Sequence, residues 1–116
     1  MAIPAPGDRI LVVKPYWLEL ILSGQKTMEI RGVPYRAGKY FLGCNRQIRA
    51  IANLGTPERI STAERWIELR PRHRVMADDL PYKSTFGLPI LTVQSVSAIP
   101  YTHPHGAVSV VKYRAR

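Results

Sequence analysis

Four charged side chains stand close together in the sequence: Lys14, Lys26, Glu29 and Arg31. Residues 27–31 alternate polar and apolar side chains, which is typical of a strand, and this places Glu29 and Arg31 on one side of it, about 7 Å apart. Lysine and arginine suit a phosphate, and a carboxylate accepts hydrogen bonds from a base amino group such as cytosine N4. The four residues therefore predict a site for a nucleotide-like ligand. The alternative is that Glu29 and Arg31 form a surface ion pair, which contributes only about 0–1 kcal/mol.

Two aromatic residues, Tyr16 and Trp17, lie between these cations in the sequence. A base stacked on an aromatic ring gains about 1–3 kcal/mol. Trp17 falls on the apolar stripe of a predicted helix, so the pattern favours a place in the core over a stacking role. Tyr16 is one position away and is predicted to face the site, and Tyr82, Tyr101 and Tyr113 are weaker candidates for stacking.

The charge of the whole chain points to the same class of ligand. Seventeen Lys and Arg residues, twelve of them Arg, stand against eight Asp and Glu residues, which gives a net charge of +9 and a pI near 10.2. The excess lies in residues 1–49 and 80–116, whereas residues 50–79 are balanced. A domain pI above about 9 is expected of a nucleic-acid binder. A charge that serves solubility alone is the alternative.

Composition also bears on the other classes of protein. No run approaches the ~20 apolar residues of a membrane span, and the first residues lack the pattern of a signal peptide, so we expect a cytoplasmic protein with no membrane partner. Cys44 is the single cysteine, so no disulfide forms within the chain. No spacing joins His103 and His105 to a third ligand, and we predict neither a metal site nor a cofactor.

The periodicity of the chain predicts the scaffold that positions these side chains. We expect residues 1–8 to be a flexible lead and residues 9–116 to form a single domain. The predicted strands and helices are, in order, strand 9–13, helix 15–23, strands 27–31, 39–44 and 48–54, helix 61–70, and strands 88–99 and 107–113. The fold class is α+β, mainly β: a small barrel of five to six strands with two short helices. Such a barrel brings Lys14 and Lys26, which flank the first helix, to one mouth.

Local signals set the ends of the two predicted helices. Pro15 suits the first position of a helix, and Gly24 suits its end. Ser61 and Glu64 have the spacing of a capping box, with Ser61 as the N-cap. Pro71 is expected to stop the second helix.

The order of these residues resembles a known family signature. Residues 14–17, Lys-Pro-Tyr-Trp, and residues 21–31, Ile-Leu-Ser-Gly-Gln-Lys-Thr-Met-Glu-Ile-Arg, are similar to the signature of the ASCH domain. Residues 80–83, Leu-Pro-Tyr-Lys, and residues 100–108, Pro-Tyr-Thr-His-Pro-His-Gly-Ala-Val, look like its later landmarks. The resemblance covers roughly residues 9–113. It implies a PUA-like β-barrel with a cleft beside it that binds RNA or modified bases. From the charge and the polar strand face, we predict that Lys14, Tyr16, Lys26, Glu29 and Arg31 bind the ligand.

The same resemblance implies a possible activity. Some similar bacterial proteins remove the acetyl group from N4-acetylcytidine, and others cleave RNA. Those amidohydrolases place Lys, Thr and Arg in this block: Lys26 and Arg31 match, whereas Glu29 stands at the position of the Thr, and Thr27 is about 7 Å away on the same face. The implied partner is RNA, another nucleic acid or a nucleoside. The implied function is a binding module, with a hydrolase as the alternative in which Lys26 and Glu29 are catalytic.

Overall fold

A curled sheet is the main element of the fold, seen in a computed structural model that describes residues 3–104 and 109–116. Within these residues, seven strands form a half-barrel in the order β2-β6-β4-β3-β1-β7, and β5 pairs with β6. β1 and β3 run parallel, and the other strand pairs are antiparallel. The strands are β1 (Arg9–Val12), β2 (Met28–Arg31), β3 (Gly38–Cys44), β4 (Gln47–Leu54), β5 (Glu58–Ile60), β6 (Thr85–Pro100) and β7 (Val110–Lys112).

Three short helices lie in the same described ranges: α1 (Pro15–Leu22), α2 (Ala63–Glu68) and α3 (Arg70–His73). Pro15 opens α1, where its missing N–H leaves no intrahelical hydrogen bond unmade. Gly24 has a φ of +81° just after the C-cap residue, a conformation that glycine adopts without strain. None of these helices is long and apolar enough to cross a membrane.

Buried apolar residues form three clusters in the described chain. The largest packs α1 against β1, β3, β4 and β6, and includes Leu11, Leu18, Ile21, Tyr40, Leu42 and Leu88. A second contains Ile10, Phe41, Ile48, Tyr101 and Val111. A third joins β2 and β5 to α2, through Met28, Ile30, Ile60, Trp66 and Leu69. This third cluster fixes α2 and α3 beside β2, the strand that carries the predicted site.

The predicted fold class, α+β and mainly β with a small PUA-like barrel, is confirmed. β5 is an additional strand, only three residues long, which the sequence pattern missed. β6 begins at Thr85, three residues before the predicted start, because Phe86 and Gly87 pair with both β2 and β5. Of the predicted strand at 107–113, the structure shows β7; residues 105–108 lie outside the described residues, and with them part of the predicted loop and of the 100–108 landmark.

The prediction for the second helix was wrong in its details. The N-cap is Thr62, whose hydroxyl accepts a hydrogen bond of 3.1 Å from the backbone N–H of Arg65. Thr62, next to the predicted Ser61, has the extended backbone that an N-cap requires, with φ −126° and ψ 149°. Pro71 does not stop a helix, because it lies in the first turn of α3, where proline is tolerated.

Candidate functional site

A cavity of about 260 Å³ opens where the end of β1, the start of α1 and strand β2 meet residues 75–82. All four charged residues singled out in the sequence line it, so the structure brings them together. The lining residues are Val12, Lys14, Trp17, Lys26, Glu29, Ile30, Arg31, Val75, Pro81 and Tyr82. The wall is thus apolar and aromatic with a charged cluster on one side, a composition that small-molecule sites commonly have.

Glu29 is the centre of the charged cluster and is 5% exposed. Its Oε2 accepts hydrogen bonds from Nε and Nη2 of Arg31, at 3.1 and 2.7 Å. Its Oε1 lies 3.4 Å from Nζ of Lys26. Strand spacing of about 7 Å separates the backbones of Glu29 and Arg31, and the long arginine side chain closes that gap. The side chains of Arg31 and Glu29 are 12% and 7% exposed, so the pair is largely buried in the cavity wall and differs from the exposed ion pair that spacing alone allows.

Lys26 is 1% exposed and has three partners. Its Nζ donates to the backbone carbonyl of His73 at 2.5 Å, faces Glu29, and lies 4.6 Å from the centre of the Trp17 ring. Burial lowers the pKa of Lys26, and the neighbouring Glu29 carboxylate offsets part of that effect. A buried lysine with a lowered pKa beside a carboxylate, at the wall of a cavity, is a functional-site candidate.

Arg31 connects this cluster to the sheet. Besides holding Glu29, its Nη2 donates to the carbonyl of Val12 at the end of β1, at 2.6 Å. Val12 and Arg31 belong to strands that are not neighbours in the sheet. Arg31 therefore ties β2 to the end of β1 and fixes the direction in which the Glu29 carboxylate points.

His73 supports the cluster from behind and was missed as a site residue in the sequence. It is fully buried, and its ring stacks on that of Trp66 with centroids 3.9 Å apart. Its Nε2 bonds the carbonyl of Trp66 at 2.8 Å, and its Nδ1 accepts from the N–H of Val75 at 3.0 Å. This pattern requires the neutral ring with its proton on Nε2, and burial lowers the pKa of His73 accordingly. The backbone carbonyl of His73 is thereby held in place for Lys26.

The mouth of the cavity carries the exposed members of the set. Lys14 is exposed at the start of α1, and Tyr82 is 46% exposed on the opposite side. Trp17 is half-buried: it packs on the largest core cluster and also lines the cavity. Tyr16 is 65% exposed, meets Trp17 edge-on at 4.8 Å, and is not among the lining residues. Tyr82 thus takes the position at the mouth that the sequence suggested for Tyr16.

The cluster offers a defined set of hydrogen-bonding groups to a ligand. Glu29 is a carboxylate with acceptor positions beyond those used by Arg31, and Lys26 is a donor with an adjustable charge. Trp17 and Tyr82 supply aromatic surface around them. Among the residues that the structure describes, no group of three His, Cys, Asp or Glu side chains lies close enough to hold a metal ion. The chemistry on offer is thus that of charge, hydrogen bonding and aromatic contact.

No protein-family model matches the chain, and no curated protein matches it. Solved structures with a similar fold include three of the ASCH protein from Zymomonas mobilis. A serine-to-alanine mutant superposes with a TM-score of 0.74 at 14% identity, over 97% of this chain and 92% of that one. The ASCH protein itself gives 0.72 at 14% identity, over 93% and 88%, and a tyrosine-to-phenylalanine mutant gives 0.72 at 13%, over 93% and 91%. Identity this low speaks for the fold alone, and on that ground the chain has an ASCH-like fold.

Proposed function

We propose that the cavity binds a single base of RNA or a modified nucleoside, with the rest of the ligand outside the mouth. The observation that carries the proposal is the buried set of Lys26, Glu29 and Arg31 in a cavity edged by Trp17 and Tyr82. Buried ion pairs contribute little to stability, since well-packed apolar residues of the same volume are often as good or better. A ligand that uses the charges accounts for their presence at a cavity wall.

The size and polarity of the cavity suit one base. Its volume of about 260 Å³ lies just under the ~300–1,000 Å³ that is usual for drug-sized ligands. Glu29 would accept from an exocyclic amino group such as cytosine N4. Lys26 would donate to a ring nitrogen or carbonyl oxygen, Tyr82 would stack, and Lys14 would meet a phosphate at the mouth.

The test is a calorimetric titration of the protein with cytidine, adenosine and uridine, each in turn. We expect the nucleosides with an amino group to bind more tightly than uridine, by about tenfold, because one well-made contact to a base edge discriminates by about 1–3 kcal/mol. Glu29→Gln should reduce this preference. Glu68→Gln, the same substitution in an exposed ion pair with Arg65, is the control and should leave it unchanged. Equal affinity for all three nucleosides, or no binding, would contradict the proposal.

A hydrolase is the second candidate, and the lowered pKa of Lys26 beside Glu29 favours it. In this reaction Glu29 takes a proton from water, and the resulting hydroxide attacks the carbonyl carbon of an acylated amino group. Lys26 stabilises the oxyanion, and the proton passes to the leaving amine as the amide bond breaks. The products are a carboxylic acid and the free base amine.

Mass spectrometry decides between binding and hydrolysis. N4-acetylcytidine and a short RNA are each incubated with the wild type and with Lys26→Met, and the molecular masses of the products are measured. Product formation that disappears in Lys26→Met supports the hydrolase. Equal background in the two proteins contradicts it and leaves the binding proposal standing.

A further inference from the structure

A second cavity, of about 350 Å³, lies at the opposite end of β1 from the first cavity, around Lys26 and Glu29, which we call the base cavity. Four cationic side chains and one carboxylate line it. The lining residues are Gly7, Asp8, Arg9, Arg36, Lys39, Phe41 and Lys112, and we call this site the basic groove. It combines the first turn of the chain with the starts of β1 and β3 and the end of β7.

The cations of the basic groove have no acidic partner in the described part of the chain. Among the described residues, none of the four forms an ion pair, whereas Arg31, Arg65 and Arg70 each do. The carboxylate of Asp8 accepts from the N–H of Ala5 at 2.8 Å within its own turn. The positive charges of the groove therefore remain open to an anion from solution.

One of these cations is held in a fixed position. The guanidinium of Arg9 donates to the hydroxyl of Tyr40 at 2.9 Å and to the carbonyl of Lys39 at 3.0 Å. It also stacks on the ring of Tyr40, 4.0 Å from its centre. A guanidinium fixed in this way is preorganised to bind a phosphate oxygen, because little side-chain entropy remains to be lost.

The strand register places like charges opposite each other in the groove. Arg9 of β1 pairs with Lys112 of β7 in the antiparallel ladder. Like charges directly opposite each other across a strand pair destabilise a sheet, and among the described residues neither Arg9 nor Lys112 forms an ion pair that would offset this. An anionic ligand would relieve this repulsion.

We propose that the basic groove binds the phosphate backbone of a single-stranded nucleic acid whose base enters the base cavity. This inference rests on the proposed function and narrows it: the ligand is an oligonucleotide and not a free nucleoside. Arg9 and Val12, which belong to the two sites, are three residues apart on β1, a distance of about 10 Å. A single strand of several nucleotides is long enough to reach from one site to the other.

The test is the salt dependence of binding to a labelled single-stranded RNA of about ten nucleotides, within the range of single-strand site sizes. Each phosphate contact to a single strand adds about 0.7 to the slope of log affinity against log salt. The variant Lys39→Met/Lys112→Met keeps the aliphatic stems and removes two charges, so its slope should fall by about 1.4. The control Arg59→Met/Arg116→Met removes the same net charge at exposed positions outside both cavities and should change the slope much less.

The outcomes separate the groove from the base cavity. Cytidine affinity should be the same in the wild type and in Lys39→Met/Lys112→Met, because the nucleoside has no phosphate. Equal losses of slope in the groove variant and the control would overturn the inference, since the whole field of the protein would then account for binding. Cytidine binding without RNA binding at low salt would overturn the inference and leave the proposed function intact. Equal competition by polyglutamate would overturn the choice of nucleic acid.

Discussion

The substitution Glu29→Gln tests whether the charged cluster is as buried as its contacts indicate. It keeps the size of the side chain and removes the charge that Lys26 and Arg31 share. Breaking a buried ion pair from one side costs about 3–5 kcal/mol. The glutamine carbonyl can still accept from Arg31, so we expect the lower end, a loss of about 3 kcal/mol in the free energy of unfolding. The free energy of unfolding of a native domain is about 5–15 kcal/mol, so the variant should still fold.

The effect of pH on this loss follows from the pKa of Lys26. Burial lowers that pKa from its ordinary value near 10.5, and Glu29 raises it in part, so it falls further in Glu29→Gln. In both unfolded chains, Lys26 keeps its proton up to its ordinary pKa. In the folded state, the variant releases this proton at a lower pH than the wild type does. Stability rises with pH wherever the unfolded state binds more protons. Between pH 7 and about pH 10, the free energy of unfolding of the variant therefore rises more than that of the wild type. The loss of stability caused by Glu29→Gln should be smaller at the higher pH.

The assay is urea unfolding followed by tryptophan fluorescence at neutral and alkaline pH. Glu68→Gln serves as the control, because it removes the charge of an exposed ion pair with Arg65 and should leave the unfolding midpoint nearly unchanged. If Glu29→Gln behaves like this control, the cluster is solvated in solution. A large loss that stays constant with pH would also refute the reasoning, because Lys26 would then remain charged at every pH tested.

Three further predictions concern His73 behind the charged cluster, Gly43 in the sheet and Tyr82 at the mouth of the cavity. Because the pKa of His73 is lowered, its contribution to stability is complete above pH 6.5 and is lost as the pH falls through the folded-state pKa. In urea unfolding between pH 7 and 5, the free energy of unfolding should fall by up to about 1.4 kcal/mol per pH unit. This fall should be absent in His73→Gln. Gly43→Ala should cost about 1–3 kcal/mol in thermal unfolding, because the new Cβ would lie 2.7 Å from both Ile10 and the hydroxyl of Tyr101. Tyr82→Ala should weaken nucleoside binding by about tenfold in calorimetry, whereas Tyr82→Phe should retain it.

The charged members of the site were predictable because they are local. Lys14, Lys26, Glu29 and Arg31 fall within one strand–helix–strand unit, and any fold that packs the helix against the sheet brings its two junctions together. The burial of Lys26 was not predictable in the same way. The sequence places it in a turn after Gly24, where lysine is ordinarily exposed. Its burial depends on α3 and the residues that follow it, which lie more than 40 residues later in the chain.

The rest of the cavity wall has little local signal in the sequence, where Tyr82 is only one of three weaker candidates for stacking. No sequence motif points to His73, and its structural role depends on Trp66, seven residues earlier, whose ring it stacks on. Tyr82 and Val75 reach the cavity because the cluster of Met28, Trp66 and Leu69 packs this segment against β2. Periodicity identifies the faces that pack but not the elements that they pack against, so these residues become visible only in the assembled fold.

The contacts divide the site into a fixed interior and an adjustable mouth. Glu29 is held by Arg31 and Lys26, and Arg31 is held by the carbonyl of Val12, so the interior groups keep their positions when the ligand arrives. Discrimination between ligands requires such fixed groups, because a buried polar atom that the wrong ligand leaves unpaired is costly. Lys14, Tyr82 and the groove residues Lys39 and Lys112 are exposed, and in the proposed complex they contact parts that every nucleotide shares. Substitutions in the interior should therefore change which base is bound, whereas substitutions at the mouth or groove should change how tightly any strand is bound and how strongly salt weakens it.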